Sequence, residues 1–562
     1  MTRNFVTRCL LFCMAVALIA TSCKKSVPKQ VTFIPKDATM VFSVNAKSVT
    51  EKLSKSSVNL DSLFNTIFKD SAKSEVAKMK SAVGDLKNAG IDWSSDVYFF
   101  LKNKGSIMTG QQNAFAAIAL IKDAGKFEAY LKKQKPEAAI KKESKYSYAV
   151  IDNDVTVGWN SDVIIVAGNK EYNRNTASSG QPDDGHLLLN TLYEQKEAES
   201  IASIPEFVEL AKEKSDATVF TNSSGLLNNV PMLSMTKASD LLNNAYSATT
   251  INFEDGEIVA SSKGYSSPAL KDILKKYPGQ KINMDMINKY PSSNVDGFIL
   301  LSFNPQILID IIKYSGFDVQ ANQYLNEMGF TLDDVAKAFK GEFSFVVSDL
   351  AVVKQPNPYY PQMTMTKPDM KYLFNAKVGD KASFEKVMNT LVSKGMLTKN
   401  GDQYLLPQNF PGTSYLINSK DIIVASDSAM VGQYSAGSAK ATFTSDVDGK
   451  VSGKPFGAYV DINKILQAFP LDSSSTADQV ATMNKAKTTF KDLVGSTENF
   501  DGKLIKSSMQ LRMVDGKKNS LASLAEFLAE AAKNIPHKES VDMDMNGQAP
   551  DSTTAPGVDS VK

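Results

Sequence analysis

Few residues of this chain could do chemistry, and their spacing narrows the field at once. The 562-residue sequence holds two histidines, three cysteines and two tryptophans. His186 opens a leucine-rich stretch and His537 lies near the C-terminus, so no His-x-x-x-His pair offers a metal two imidazoles on one helix face. Neither a Ser-His-Asp nor a Cys-His arrangement is supported. The sequence has no nucleophile elbow, no zincin motif, no phosphate loop and no dinucleotide fingerprint. Asp152-Asn153-Asp154 followed by Gly158 starts like a calcium loop, but the glycine comes one place late and no Glu closes the loop, so a hairpin turn is the expected reading. Two carboxylates of the glycosidase kind would leave no signature among 61 acidic residues, which keeps glycoside processing open as an alternative. Trp93 and Trp159 stand beside apolar strand residues and are expected in the core rather than stacked on sugars. The expectation is a chain with no catalytic residue, metal or cofactor.

Cysteine is the informative residue. Arg3 and Arg8 precede a short apolar core, Leu10 to Ala20, and Ile19-Ala20-Thr21-Ser22 leads with small residues into Cys23. A spanning helix needs about 20 apolar residues, so this core reads as a secretory signal. Small residues before a cysteine match the bacterial lipobox, at which the thiol is acylated with palmitate-type chains and the segment before it is removed; Ala20 stands where Leu is usual. Residues 1–22 are thus expected to be a signal peptide and 23–30 a tether, with Cys23 carrying the lipid. Cys9 and Cys13 leave with the signal, so the mature chain keeps no thiol for a disulfide, a zinc site or a nucleophile. Later apolar runs are interrupted, as Val295 to Ile312 is by Asp296, Asn304, Pro305 and Asp310, and Cys23 is expected to be the sole membrane attachment. A formal net charge of +2 gives no field for nucleic acid.

The length calls for more than one core, and the chain echoes itself. Asn252-Phe253-Glu254-Asp255-Gly256-Glu257-Ile258 is matched by Asn499-Phe500-Asp501-Gly502-Lys503-Leu504-Ile505, and Asn160-Ser161-Asp162-Val163-Ile164-Ile165-Val166-Ala167 by Asn418-Ser419-Lys420-Asp421-Ile422-Ile423-Val424-Ala425. Ile118 to Glu128 matches Phe374 to Glu385, and Met40 to Asn45 matches Leu300 to Asn304, in the same order. A tandem duplication follows, with units at 31–265 and 290–532, a linker at 266–289 and a disordered tail at 533–562, poor in large apolar residues. Asp255-Gly256 is a two-residue hairpin turn, and in each copy an Asn-Ser turn joins two apolar strands, where Asn tolerates positive φ. Phe127, Tyr130 and Leu131 share a helical face, as do Phe384, Val387 and Leu391, and Gly90 ends a helix over 75–89. Hairpins without regular βαβ alternation give an α+β class: a mainly antiparallel sheet per unit, with helices packed on one face. The proline-rich stretch Val353 to Met370 is expected to be a projecting loop, because proline interrupts strands.

This opening, with Ile34-Pro35-Lys36-Asp37-Ala38 leading into a strand and a Lys-containing helix (Ser48 to Leu53), and Tyr290-Pro291-Ser292-Ser293-Asn294 beginning the second copy in similar style, resembles a family of Bacteroidetes lipoproteins, domain of unknown function 4836. The resemblance implies envelope localisation and architecture and brings no activity or catalytic residue. Lys24 replaces the Asp that retains lipoproteins in the inner membrane, and no acidic cluster follows Cys23 as it does in surface-exported relatives. The inner leaflet of an outer membrane, facing the periplasm, is the expected address. Exported proteins of that phylum are commonly O-glycosylated at Asp-Ser/Thr followed by an aliphatic residue, Met or Thr, which marks Ser62, Ser71, Ser428, Ser552 and Ser560. The expected role is a non-enzymatic binding or scaffolding body in the envelope, with an envelope protein as a candidate partner. The alternatives are a glycan-binding or glycoside-processing lipoprotein and a periplasmic lipid carrier, which would need a large apolar cavity.

Overall fold

The computed structural model describes residues 27–58, 84–106, 110–152, 155–172, 184–225, 236–357, 360, 362–408, 412–438, 441, 445–469 and 475–534. The first half contributes strands β1 (Met40–Asn45), β2 (Asp96–Ser106), β3 (Gly110–Leu120), β4 (Lys141–Lys142), β5 (Ser147–Asp152), β6 (Val155–Trp159), β7 (Val163–Tyr172), β8 (Ala217–Asn222), β9 (Tyr246–Phe253) and β10 (Glu257–Tyr265). The second contributes β11 (Val295–Ser302), β12 (Phe339–Pro356), β13 (Thr364–Val378), β14 (Thr398–Asn400), β15 (Gln403–Leu405), β16 (Ser414–Ile417), β17 (Asp421–Ala425), β18 (Phe456–Val460), β19 (Phe490–Thr497) and β20 (Ile505–Met513).

Eighteen of these strands form one antiparallel sheet, and β14–β15 form a separate pair. Across the first half the order is β4-β5-β6-β7-β3-β2-β1-β8-β9-β10. Across the second it is β16-β17-β13-β12-β11-β18-β19-β20. From β7 to β10 each pairing of the first half has its counterpart between β17 and β20. The two halves meet edge to edge at β10–β20. There Ser261 faces Ser508, flanked by Ala260 opposite Met509 and Ser262 opposite Ser507. That register is isologous: exchanging the two hairpins returns the same pairs, as at a two-fold interface.

The turns show why these residues fold this way. Glu254 N donates to Glu257 O, so Asp255-Gly256 is a two-residue hairpin turn, and Gly256, at its second position, takes a left-handed φ of +76° that glycine adopts without steric cost. Asn160 and Asn418 work differently from the expectation. Neither has positive φ. Each instead folds its side-chain oxygen back onto two backbone amides, Asp162 and Val163 in one case and Lys420 and Asp421 in the other. Gly90 does take a φ of +76°, and a Cβ there would meet the Asp123 carbonyl oxygen.

The α+β class with an antiparallel sheet is as expected, but the helices lie on both faces. On one face Ile165 and Ile118 pack with Leu189 and Leu192 of helix Asp184–Glu194; on the other, Ile164 and Ala119 pack with Phe127 and Leu131 of helix Ala124–Gln134. The cause is in the strands. Val163 to Ala167 is an unbroken apolar run, and strands buried on both faces read that way. The second half has its own core on the first face, around Phe298, Leu300, Val346, Leu373 and Val494. A further correction concerns Val353 to Met370. It is no irregular loop: β12 and β13 extend as a ribbon, with Val352 facing Pro368 and Pro356 facing Thr364. Prolines fit because a two-stranded ribbon has outer edges that need no partner. The segments at 59–83 and 535–562, including most of the expected tail, lie outside the described residues. Among the described residues no helix is long and apolar enough to cross a membrane.

The β9–β10 turn also ties the halves together. Gly256 N donates to Lys518 O, Met513 N donates to Gly256 O, and Asn519 Nδ2 donates to Phe253 O at 2.9 Å. Glu526, on helix Ser520–Ala531, receives Lys485 and Lys518 and reaches across to the Ser57 hydroxyl at 2.8 Å. Burial opposes its charge, but these donors outweigh that and hold its carboxyl at about 2. Replacing Gly256 by Ala forces an L-residue into the left-handed region, at a cost of about 1–2 kcal/mol, and places its Cβ 2.5 Å from the Gly516 backbone. Urea titration of Gly256→Ala should show stability lower by at least that amount.

Candidate functional site: an apolar cleft in the first half

The most distinctive surface feature is a cleft of about 800 Å³ between the sheet and three short helical segments. Its floor follows one row of paired residues, Val157–Val166–Ala117–Phe99 across β6, β7, β3 and β2. One wall is helix Ala124–Gln134, whose Phe127 packs edge-on against Trp159 at 5.4 Å. The other is helix Ala46–Leu53, which presents Val49 and Thr50 to the cleft. Leu86, Ile91 and Trp93 complete the rim.

Specific bonds hold the walls apart. Asn45 caps helix Ala46–Leu53 by accepting from Ser48 N at 2.8 Å. The buried carboxylate of Asp216 then receives Ser48 Oγ and Lys52 Nζ, each at 2.5 Å, together with Phe253 N at 2.6 Å. Burial pushes its pKa up, yet these three donors prevail and hold it below the usual range. The helix is pinned through its polar side. It is amphipathic, yet none of its residues is buried, so its apolar stripe is left facing the cleft. On the opposite wall Asp85 receives Lys133 Nζ at 2.7 Å and Gln134 Nε2 at 3.0 Å. Burial and the Asp85 charge together raise the Tyr130 phenol above its ordinary value. In the second half, by contrast, helices Gln306–Ser315 and Leu332–Ala338 close on one another around Ile309, Leu332 and Ala336.

A cleft of this size falls in the range of small-molecule sites, and its chemistry is one-sided. Of the residues that line it, only Lys135 carries a charge, and only Thr50, Gln134, Tyr130 and Trp93 bring other polar atoms. Among the described residues no carboxylate lines it to act as acid, base or nucleophile.

The residues singled out from sequence do not converge here. Cys23, Ser62, Ser71, Ser552 and Ser560 lie outside the described residues. Ser428 is exposed at the first turn of helix Ser428–Ser435, directly after the cap Asp427, which accepts from Met430 N at 2.8 Å. His186 stacks on Tyr148 at 4.1 Å with Nε2 3.3 Å from Glu143, on the helix that covers the opposite sheet face. Among the described residues no three His, Cys, Asp or Glu side chains group as metal ligands. Trp159 is buried as expected, but Trp93 is 36% exposed at the rim of the cleft. The cleft itself was missed. Its signal was the amphipathic stripe of Ala46–Leu53, a helix too short to need a core of its own.

The model of the family Domain of unknown function (DUF4836) matches residues 31–400, well over half of the chain, and the chain belongs to that family. No curated protein matches it. Among solved structures, crystal forms I and IV of TP0453 are similar at 11% and 12% identity, each with a TM-score of 0.25. They cover 44% and 47% of this chain and 81% and 90% of their own. That likeness is too slight to carry any property across.

The two tryptophans make the cleft observable. Acrylamide should quench one emitting population, Trp93, and leave the buried Trp159 nearly untouched, and Trp93→Phe should remove the quenchable part alone. A Trp159 that quenches as readily as Trp93 would mean that the wall formed by helix Ala124–Gln134 is not closed on the sheet.

Proposed function

We propose that this chain is a non-enzymatic, lipid-anchored envelope protein that binds an apolar ligand, an acyl chain, in the cleft of its first half. The observation that carries this reading is the cleft's composition: about 800 Å³ bounded almost wholly by aliphatic and aromatic side chains. A saccharide needs several convergent hydrogen-bonding groups, and these walls do not offer them, so the glycan alternative loses its support. An acyl chain needs only apolar contact, at roughly 25 cal/mol per Å² of surface removed from water. The two halves are read as descendants of one duplicated unit, a reading supported by their matching strand order and by the Asn160 and Asn418 turns. The duplicated unit kept an open cleft in one copy and filled it in the other.

The anchor is Cys23. Each buried methylene contributes about 0.8 kcal/mol, so one chain holds marginally and two or three hold stably. The tether is shorter than the expected 23–30, because Lys29 already opens a 3-10 turn and Gln30 is buried. Lys24 to Pro28 reaches at most roughly 18 Å at about 3.5 Å per residue, which keeps the first half near the bilayer, on the periplasmic side of an outer membrane in a Bacteroidetes envelope. Ser428 stands accessible for O-glycosylation, and Ser62, Ser71, Ser552 and Ser560 share its sequence pattern.

Cys23→Ser should block acylation and maturation, while a form lacking the first 23 residues and exported by a soluble-protein signal should appear in the periplasmic extract. Sedimentation of that form with membranes after a high-salt wash would contradict the single anchor. The binding claim is tested by titrating the delipidated mature chain with a fluorescent fatty acid. Ala117→Trp, which fills the floor of the cleft, should weaken binding at least tenfold and leave the folding transition in place. Equal affinity in both proteins would remove the cleft as the seat.

A further inference from the structure

The apolar face that floors the cleft does not end there. Phe99 lies opposite Phe42 at a ring separation of 6.1 Å, and the row continues through Val219, Thr249 and Ser262 to the edge where the halves meet. From Ala260 a second row runs through Met509, Gly495, Ala458 and Ile299 to Phe345. Phe99, Met509, Ile299 and Phe345 are 42%, 51%, 49% and 41% exposed, although all sit on inner strands of the sheet. Exposed large apolar side chains on one face, linked by a run of small uncharged residues, mark an interaction surface.

Two properties of the face indicate its occupant. First, in β1, β8, β9, β10, β20, β18 and from Leu493 to Thr497 of β19 the residues on this face are uncharged, Lys491 lying beyond them at a bulge, while the other face of β10 and β20 carries Glu257, Lys263, Lys506 and Arg512. An uncharged wall complements an uncharged ligand. Second, the middle of the face is built from small residues, Ala260, Ser262, Gly495 and Ala458, between bulkier flanks at Phe42–Phe99 and Ile299–Phe345. A trough of about 370 Å³ results, lined from both halves and walled by Phe456 and Met509. A second copy of the chain is a poor fit. Adjacent strands twist by roughly 20–25°, so a rigid sheet would meet about four strands, some 20 Å by 15 Å at about 4.8 Å per strand. That is well short of the roughly 800 Å² per partner of a stable interface. A flexible hydrocarbon chain can follow the twist.

We infer that the trough at the junction of the halves is a second acyl-chain seat, continuous through Phe42 and Phe99 with the cleft, so that the ligand class is lipid presenting two acyl chains or two single-chain lipids together. This rests on the reading of the cleft as an acyl site. About four strand spacings, some 19 Å, separate Phe99 from Ser262.

Native mass spectrometry of the delipidated mature chain tests it, with oleate and a dioleoyl phospholipid as probes. Oleate should bind with two equivalents. The Met509→Glu, Ile299→Glu double variant changes only exposed side chains and should retain one equivalent, and Ala117→Trp should retain the other. The phospholipid should bind once and displace both oleates if its two chains use the two seats; a phospholipid that displaces neither oleate contradicts the two-chain assignment. One oleate in the wild type, kept by the double variant and lost in Ala117→Trp, overturns the trough while leaving the cleft intact. No oleate bound to any form refutes both. A wild-type dimer that the double variant turns into a monomer would assign the face to a second copy and overturn the inference.

Discussion

The constraint on which the rest depends is the antiparallel ladder between β10 and β20. Each half alone would end in an exposed edge strand, a row of unpaired amides and carbonyls that invites foreign strands. Pairing β10 with β20 removes both edges at once, and the register centred on Ser261 and Ser508 lets one hairpin design serve both sides. The turn at Gly256 and the Asn519 side chain then lock the ladder at one end. With the edges joined, the sheet becomes wide enough to have an apolar face that neither half could present alone.

That face explains the division of labour between the two halves. Helices cover one side of the sheet, around Leu189 and Leu192 in the first half and around Met430 and Tyr434 in the second. On the other side they leave part of the sheet open, including the trough lined by Ala260, Ala458 and Gly495. In the first half, helix Ala46–Leu53 is held by a buried carboxylate rather than by a hydrophobic stripe, so its apolar residues stay available. A polar pin at Asp216 thus creates an apolar opening. Packing that helix against Phe127 and Leu131 would have stabilised the half and abolished the cleft.

Much of this was legible in the sequence. The hairpin at Asp255-Gly256, the Asn-Ser turns and the helix around Phe127 are local features, fixed by residue chemistry within a few positions. The meeting of β10 with β20 is not local: a hairpin sequence states that two strands pair and leaves the outer edge of each unspecified. Helices on both faces follow from unbroken apolar runs such as Val163 to Ala167, which mark strands buried on both sides; the hairpin pattern by itself leaves the second face unspecified. Pro356 and Pro368 misled because proline excludes a strand only where its missing amide would have had a partner. The cleft depends on Asp216 meeting Lys52 and Ser48 from a distant segment, a contact that no spacing announces. Trp93 shows the same limit. Its apolar neighbours suggested a core, whereas its place is set by a helix wall that stops short of it.

An apolar chain is placed against the sheet face that begins at Phe99. Photo-crosslinking measures it most directly: the mature chain is loaded with a fatty acid carrying a diazirine near its methyl end, irradiated, digested and mapped. Adducts should fall on peptides containing Phe99, Ala117, Phe127 or Leu131 and be suppressed by excess unlabelled oleate. Adducts confined to the opposite, charged face, or spread evenly and insensitive to competitor, would contradict the account.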